Sequence, residues 1–279
     1  MQIIKGVEQI VQDYQLFVVD LWGVMHDGVA CYPEALECLT QLKKHQKRVA
    51  LLSNAPRRTS DVIHRSEALG LKRDLFDLAF SSGEMTWHYL QKAPLGKRAF
   101  PIMTDKDRSL IDDTPIELEE NIALAHFILC SGPDGERANL KDWEEVLQEA
   151  QMRTLPMLCA NPDLIVHRGG KEEICAGTLA QHYESLGGKV IYYGKPHPEI
   201  YRHLMQRAEN LAGDNAWIAF GDSFRTDIKG ALGAGGKGLF VAGGIHSKEL
   251  LPHFTPLKLE SLVNKYGYRP DFALDYLRW

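Results

Sequence analysis

The chain has 279 residues, 44% of them hydrophobic and 25% charged, a balance that excludes a disordered or fibrous protein and allows a large buried core. Lys and Arg total 32 against 37 Asp and Glu, a formal charge of −5 with no Lys/Arg block, so a nucleic-acid backbone is not an expected partner. No apolar run approaches the roughly 20 residues of a membrane-spanning helix, and no membrane partner is expected.

Residues 1–15 set Ile3, Ile4, Val7, Ile10 and Val11 at helical spacing around Glu8 and Asp13. This predicts an amphipathic helix and not a signal peptide, and with it a cytoplasmic protein. Residues 16–19 form a short apolar strand ending at Asp20, with Gly23 and Gly28 in the loop that follows and a helix over 34–44. The design repeats at 48–53, running into Asn54 and a helix marked by Thr59, Ser60 and Asp61. Residues 83–182 carry strand candidates at 99–103, 126–130 and 155–159 and helix candidates at 117–125 and 140–149, which reads as an inserted domain. Strands return at 190–193, at 216–220 running into Gly221-Asp222, and at 238–242. Continuously apolar strands alternating with helices predict an α/β fold with a doubly wound parallel sheet, here over 1–82 and 183–279. The glycines between 230 and 238 lack a dinucleotide-site context and read as a tight turn. Cys31, Cys38, Cys130, Cys159 and Cys175 form an odd set with no CxxC pair, which predicts reduced buried thiols.

Ligands of such a sheet bind outside the carboxyl ends of its strands. Four candidate strands end there in Asp20, Ser53-Asn54, Gly194-Lys195 and Asp222, with Asp227 close behind. Carboxylates with a lysine and a hydroxyl suit a divalent cation and an anionic group held together. Asp20 facing a phosphate ester at roughly 4 Å, at an effective dielectric near 20, meets about 4 kcal/mol of repulsion per charge pair. Attack therefore needs compensating positive charge, which Mg²⁺ and Lys195 could supply.

These residues resemble the motifs of the haloacid dehalogenase (HAD) superfamily, in its NagD-like class IIA. Asp20-Leu-Trp-Gly-Val24 matches the first motif, Ser53-Asn54 the second, Gly194-Lys-Pro196 with His197-Pro-Glu199 the third, and Gly221-Asp-Ser-Phe-Arg-Thr-Asp227 the fourth. Asn161-Pro-Asp163 resembles a class signature late in the inserted segment. The resemblance implies a Rossmann-like core, an inserted α/β cap over 83–182 that selects substrate, and a Mg²⁺-dependent phosphatase acting on a small phosphorylated metabolite. It implies Asp20 as nucleophile, Ser53 and Lys195 as phosphoryl-binding groups, and Asp20, Asp222 and the Trp22 backbone carbonyl as metal ligands with Asp227 in support. Asn54, Asn161 and Asp163 become substrate-facing candidates, and a homodimer through the cap is a further expectation.

One departure matters. Phosphatases of this superfamily usually carry a second aspartate two residues after the nucleophile as general acid and base, and this chain has Trp22 there. An indole N–H shuttles no proton at neutral pH. Loss of general acid–base catalysis, typically worth 10² to 10⁴-fold, raises a barrier by roughly 3 to 5 kcal/mol. Either His26 or Asp27 replaces the missing group, or the substrate has a stable leaving group, as an acyl or aryl phosphate does, or the chemistry differs. A weakened protein that binds phosphate and Mg²⁺ is the alternative, and a metal-independent dehalogenase the less favoured one.

Overall fold

The computed structural model describes residues 1–133, 135–168, 171–212 and 217–279. A seven-stranded, fully parallel sheet runs in the order Gln2–Ile3, Phe272–Leu274, Lys237–Val241, Trp217–Gly221, Leu16–Val19, Arg48–Ser53, Leu78–Ser81. Alternate side chains of its central strands feed two cores. Phe17, Val19, Val49 and Leu51 pack with Ala35, Leu39 and Leu42 of helix Pro33–Lys44 on one face. Leu16, Val18, Ala50 and Leu52 pack with Ile200, Leu204 and Ala208 of helix Pro198–Ala212 on the other. Burial on both faces explains why these strands read as unbroken apolar runs. The Rossmann-like α/β fold expected from the sequence is therefore present, and all five cysteines are free and buried.

A second parallel sheet runs Val190–Tyr192, Met157–Cys159, Phe127–Cys130, Arg98–Ile102, Glu117–Leu118, and an antiparallel hairpin pairs Ile165–Arg168 with Lys171–Ile174. Helix Ser82–Leu90 bridges the two sheets, placing Met85 in the first sheet's core and Leu90 in the second's.

Four local expectations are corrected. Residues 190–193 were expected in the first sheet, but Val190–Tyr192 pairs with Met157–Cys159 as an edge strand of the second. Residues 183–192 thus lie beyond the expected boundary at 182, because an apolar run does not name the sheet it joins. The amino-terminal helix over 1–15 is replaced by strand Gln2–Ile3 and two single 3₁₀ turns. Gly6 is extended there and packed so closely that a Cβ would lie 2.0 Å from the Trp279 carbonyl oxygen. The helix over 117–125 is replaced by edge strand Glu117–Leu118 and a turn in which Asn121 accepts from Ala123 N, a side-chain bond that competes with helix. Part of the 230–238 glycine run is helical, Lys229–Gly233. Ala216, the first residue of the expected strand 216–220, lies outside the described residues.

Candidate active site

Asp20, Ser53 and Asp222 stand at the carboxyl ends of three adjacent strands, Leu16–Val19, Arg48–Ser53 and Trp217–Gly221. Lys195 arrives from elsewhere, on the segment that leaves the second sheet after Tyr192. Its Nζ donates to Asp20 Oδ1 at 2.5 Å, to Asp227 Oδ1 at 2.7 Å and to the Leu52 carbonyl at 3.0 Å, which uses all three ammonium protons. Asp227 lies in a single π-type turn, Phe224–Ile228, where its Oδ2 accepts from Ser223 N. Asp222 Oδ2 accepts from Ile245 N at 2.7 Å. Oxygens of Asp20, Asp222 and Asp227 lie within 4.8 Å of one another, all three residues buried.

Three clustered carboxylates outnumber one ammonium. Burial pushes the Asp20 carboxyl up to about 7, Lys195 opposing and Asp227 reinforcing the rise. Burial, then the charges of Asp20 and Asp227, push Asp222 well above the usual carboxylate range. Burial alone would lower Lys195, but the carboxylates of Asp20 and Asp227 outweigh it and hold the ammonium charged. A hard divalent cation, taking oxygen ligands, fits the surplus negative charge of this donor set.

A stability consequence follows from the sign of these shifts. A carboxyl whose folded pKa exceeds its unfolded value binds more protons folded than unfolded, so stability falls as pH rises between the two values. With cation chelated, urea midpoints should decline from about pH 4 to about pH 7, and added Mg²⁺ should reverse the decline. Midpoints that rise with pH across that window under chelation would contradict the charge assignment.

The remaining sequence candidates divide. Ser53 Oγ accepts from Ala55 N, leaving its own O–H to donate. Asn54, expected to face substrate, is instead committed within the protein: its Oδ1 accepts from Lys195 N at 2.7 Å, and its Nδ2 donates to Lys195 O and to Asp163 Oδ1 at 2.9 Å. Asn161 Oδ1 accepts from Asp163 N, closing a turn, so its acceptor too is spent locally. Burial raises the Asp163 carboxyl. His26 accepts at Nδ1 from Gly28 N and packs edge-on to Trp22, and burial, aided by Arg65, lowers its pKa to about 4. The ring is neutral at pH 7 and is no acid. Asp27 Oδ1 accepts from Val29 N and Ala30 N, and these bonds, the Val29 bond foremost, hold its carboxyl below the usual range. Neither residue is poised to donate the proton that Trp22 does not supply. Trp22 itself donates from Nε1 to the His167 carbonyl at 3.0 Å.

Sequence reasoning missed three contributors. Gly23 and Gly244 crowd Asp222, a Cβ at either lying 2.1 Å or 1.9 Å from its Oδ2, and Arg225 donates to the Pro162 carbonyl. Gly23 and Arg225 sat inside recognised motifs; no local signal marked Gly244.

A doubly wound parallel core whose strand ends gather a buried lysine among carboxylates defines an α/β protein built to hold a charged ligand at those ends. Residues 17–117 match the model of haloacid dehalogenase-like hydrolases, and 192–279 match a second, HAD-hydrolase-like model. The chain belongs to the haloacid dehalogenase-like hydrolases. It is similar to a solved hydrolase of the haloacid dehalogenase-like family from Brucella suis 1330, with 29% identity, TM-score 0.87, and 99% of this chain and 100% of that one covered. A possible sugar phosphatase of the HAD superfamily from Cytophaga hutchinsonii shares the fold at 20% identity and TM-score 0.81, with 99% and 98% covered. NagD from Escherichia coli K-12 does so at 21% and 0.67, with 94% and 96% covered. No curated protein matches the chain.

Proposed function

We propose that the chain is a Mg²⁺-dependent phosphatase that hydrolyses a small phosphorylated metabolite through an aspartyl-phosphate at Asp20. One observation carries the reading: an ammonium held between Asp20 and Asp227 at parallel strand ends, with Asp222 buried beside them. Asp20, Asp222 and the Trp22 backbone carbonyl would hold the cation, with Asp227 in support. When bound, the cation supplies positive charge to the phosphoryl oxygens.

Asp20 attacks phosphorus in line, forming the Asp20 Oδ–P bond as the bond from phosphorus to the leaving oxygen breaks. The positive charge of Lys195, whose protons go to Asp20, Asp227 and the Leu52 carbonyl, and the Ser53 O–H offset the charge on the phosphoryl oxygens. Water then cleaves the acyl phosphate and restores Asp20. Residues 83–192 act as the cap that selects substrate, and pairing of two copies through it belongs to the same reading. The free buried thiols suit a reducing compartment, and we assign the protein to the cytoplasm.

Trp22 supplies no acid to the leaving oxygen, and neither a neutral His26 nor an Asp27 bound to its own turn replaces it. Acyl or aryl phosphates are the favoured substrates. Turnover should therefore depend steeply on leaving-group pKa, aryl esters exceeding alkyl esters by about 10²-fold or more. Equal rates would contradict this part of the reading. A screen of phosphorylated metabolites with and without Mg²⁺ tests the whole. Binding of phosphate and Mg²⁺ without turnover of any ester would favour the second reading, a binding protein, for which Trp22 is the supporting observation. Metal-free halide release from a 2-haloacid would instead support a dehalogenase, which the clustered carboxylates disfavour.

A further inference from the structure

Trp22 is held from several sides. Its Nε1 donates to the His167 carbonyl at 3.0 Å, and the Arg168 guanidinium lies 5.0 Å from its ring centroid. His26 meets the ring edge-on at 5.5 Å. Gly28, at φ +87°, leaves room for it: a Cβ there would lie 2.5 Å from the indole. His167 and Arg168 belong to hairpin strand Ile165–Arg168, so one side chain of the nucleophile loop ties that loop to a segment 145 residues away in sequence.

The same segment is anchored at its other end. Asp163 takes the Asn54 amide, and Arg225 donates to the Pro162 carbonyl. Residues 162–168 are thus pinned at one end beside Ser53 and Lys195 and at the other to the residue two positions after Asp20. A chain fixed at both points has little freedom to leave the strand ends. Asp163 thus borders the strand ends, one Asn54 amide away from Lys195.

We propose that Trp22 is a positioning and specificity-determining residue, a latch whose indole keeps the paired strands Ile165–Arg168 and Lys171–Ile174 docked on the nucleophile loop. At the position where the resemblance expects a proton-relay carboxylate, this chain carries instead a contact that holds the hairpin beside the nucleophile loop. Small phosphate esters enter and bulky ones are excluded without any substrate-driven closure. The selectivity part of this proposal rests on the phosphatase reading; the docking part does not.

Amide hydrogen exchange on the full chain tests the docking directly. Trp22→Phe keeps a ring and loses the N–H, and should speed exchange across 165–168 and 171–174 by about threefold to tenfold, the worth of one hydrogen bond, with Arg48–Ser53 unchanged. Trp22→Ala should speed it further. Unchanged hairpin exchange in both variants would overturn the latch. Where Trp22→Ala also loosens Arg48–Ser53, the Phe variant alone decides. In parallel, Trp22→Phe should raise KM for a small aryl phosphate more than it lowers kcat, and narrow the preference for small over bulky aryl phosphates by at least about fivefold; an unaltered preference overturns the specificity role. A wild-type protein that turns over no phosphate ester defeats the phosphatase reading and, with it, the specificity role, and leaves exchange to judge the docking.

Discussion

Asp20→Asn should abolish phosphate release, by at least about 10³-fold, without weakening the fold. The amide has the shape of the carboxylate but neither its nucleophilicity nor its charge. Lys195 keeps Asp227 and the Leu52 carbonyl as partners when the charge at position 20 is removed. The buried cluster loses one of its mutually repelling carboxylates, so the metal-free variant should unfold at a urea concentration equal to or above that of the wild type at pH 7.5. Loss of turnover with retained or improved stability separates chemistry from folding. A variant that keeps a tenth of wild-type turnover would remove Asp20 from the nucleophile's role.

Lys195→Met acts on both at once. Lys195 is 3% exposed and its ammonium serves Asp20, Asp227 and a backbone carbonyl, so its removal leaves buried carboxylates without that counter-charge. Breaking a buried pair from one side costs about 3–5 kcal/mol. Urea unfolding in chelator at pH 7.5 should show a loss of that order, together with loss of turnover. At pH 5 the loss should shrink, because Asp20, pushed up to about 7, and Asp222, raised further by burial and its neighbours, are then largely protonated. A cost under about 1 kcal/mol at pH 7.5 would mean that the lysine is not the charge that balances the cluster.

The catalytic constellation was legible in the sequence because apolar strands of a parallel sheet end at one edge, and the residues that end them share that edge. Asp20, Ser53 and Asp222 follow from this rule directly. Lys195 reached the site although the strand before it joins the other sheet, so its placement came from the motif and not from the topology assumed for it. What the sequence hid are relations across space. Asn54 looks like a substrate ligand until its amide is seen between Lys195 and Asp163. His26 looks like an acid until its burial and its bond from Gly28 are known. The periodicity of residues 1–15 is real, and Val7, Ile10 and Val11 are buried, yet edge pairing with Phe272–Leu274 and the tight approach at Gly6 win over helix.

The most direct measurement is trapping of the covalent intermediate. Wild-type protein, quenched in acid during turnover of an aryl phosphate with Mg²⁺ and digested, should yield a peptide phosphorylated at residue 20, absent when the cation is chelated. Turnover with no phosphoryl adduct at that aspartate, or an adduct on another side chain, would contradict the account.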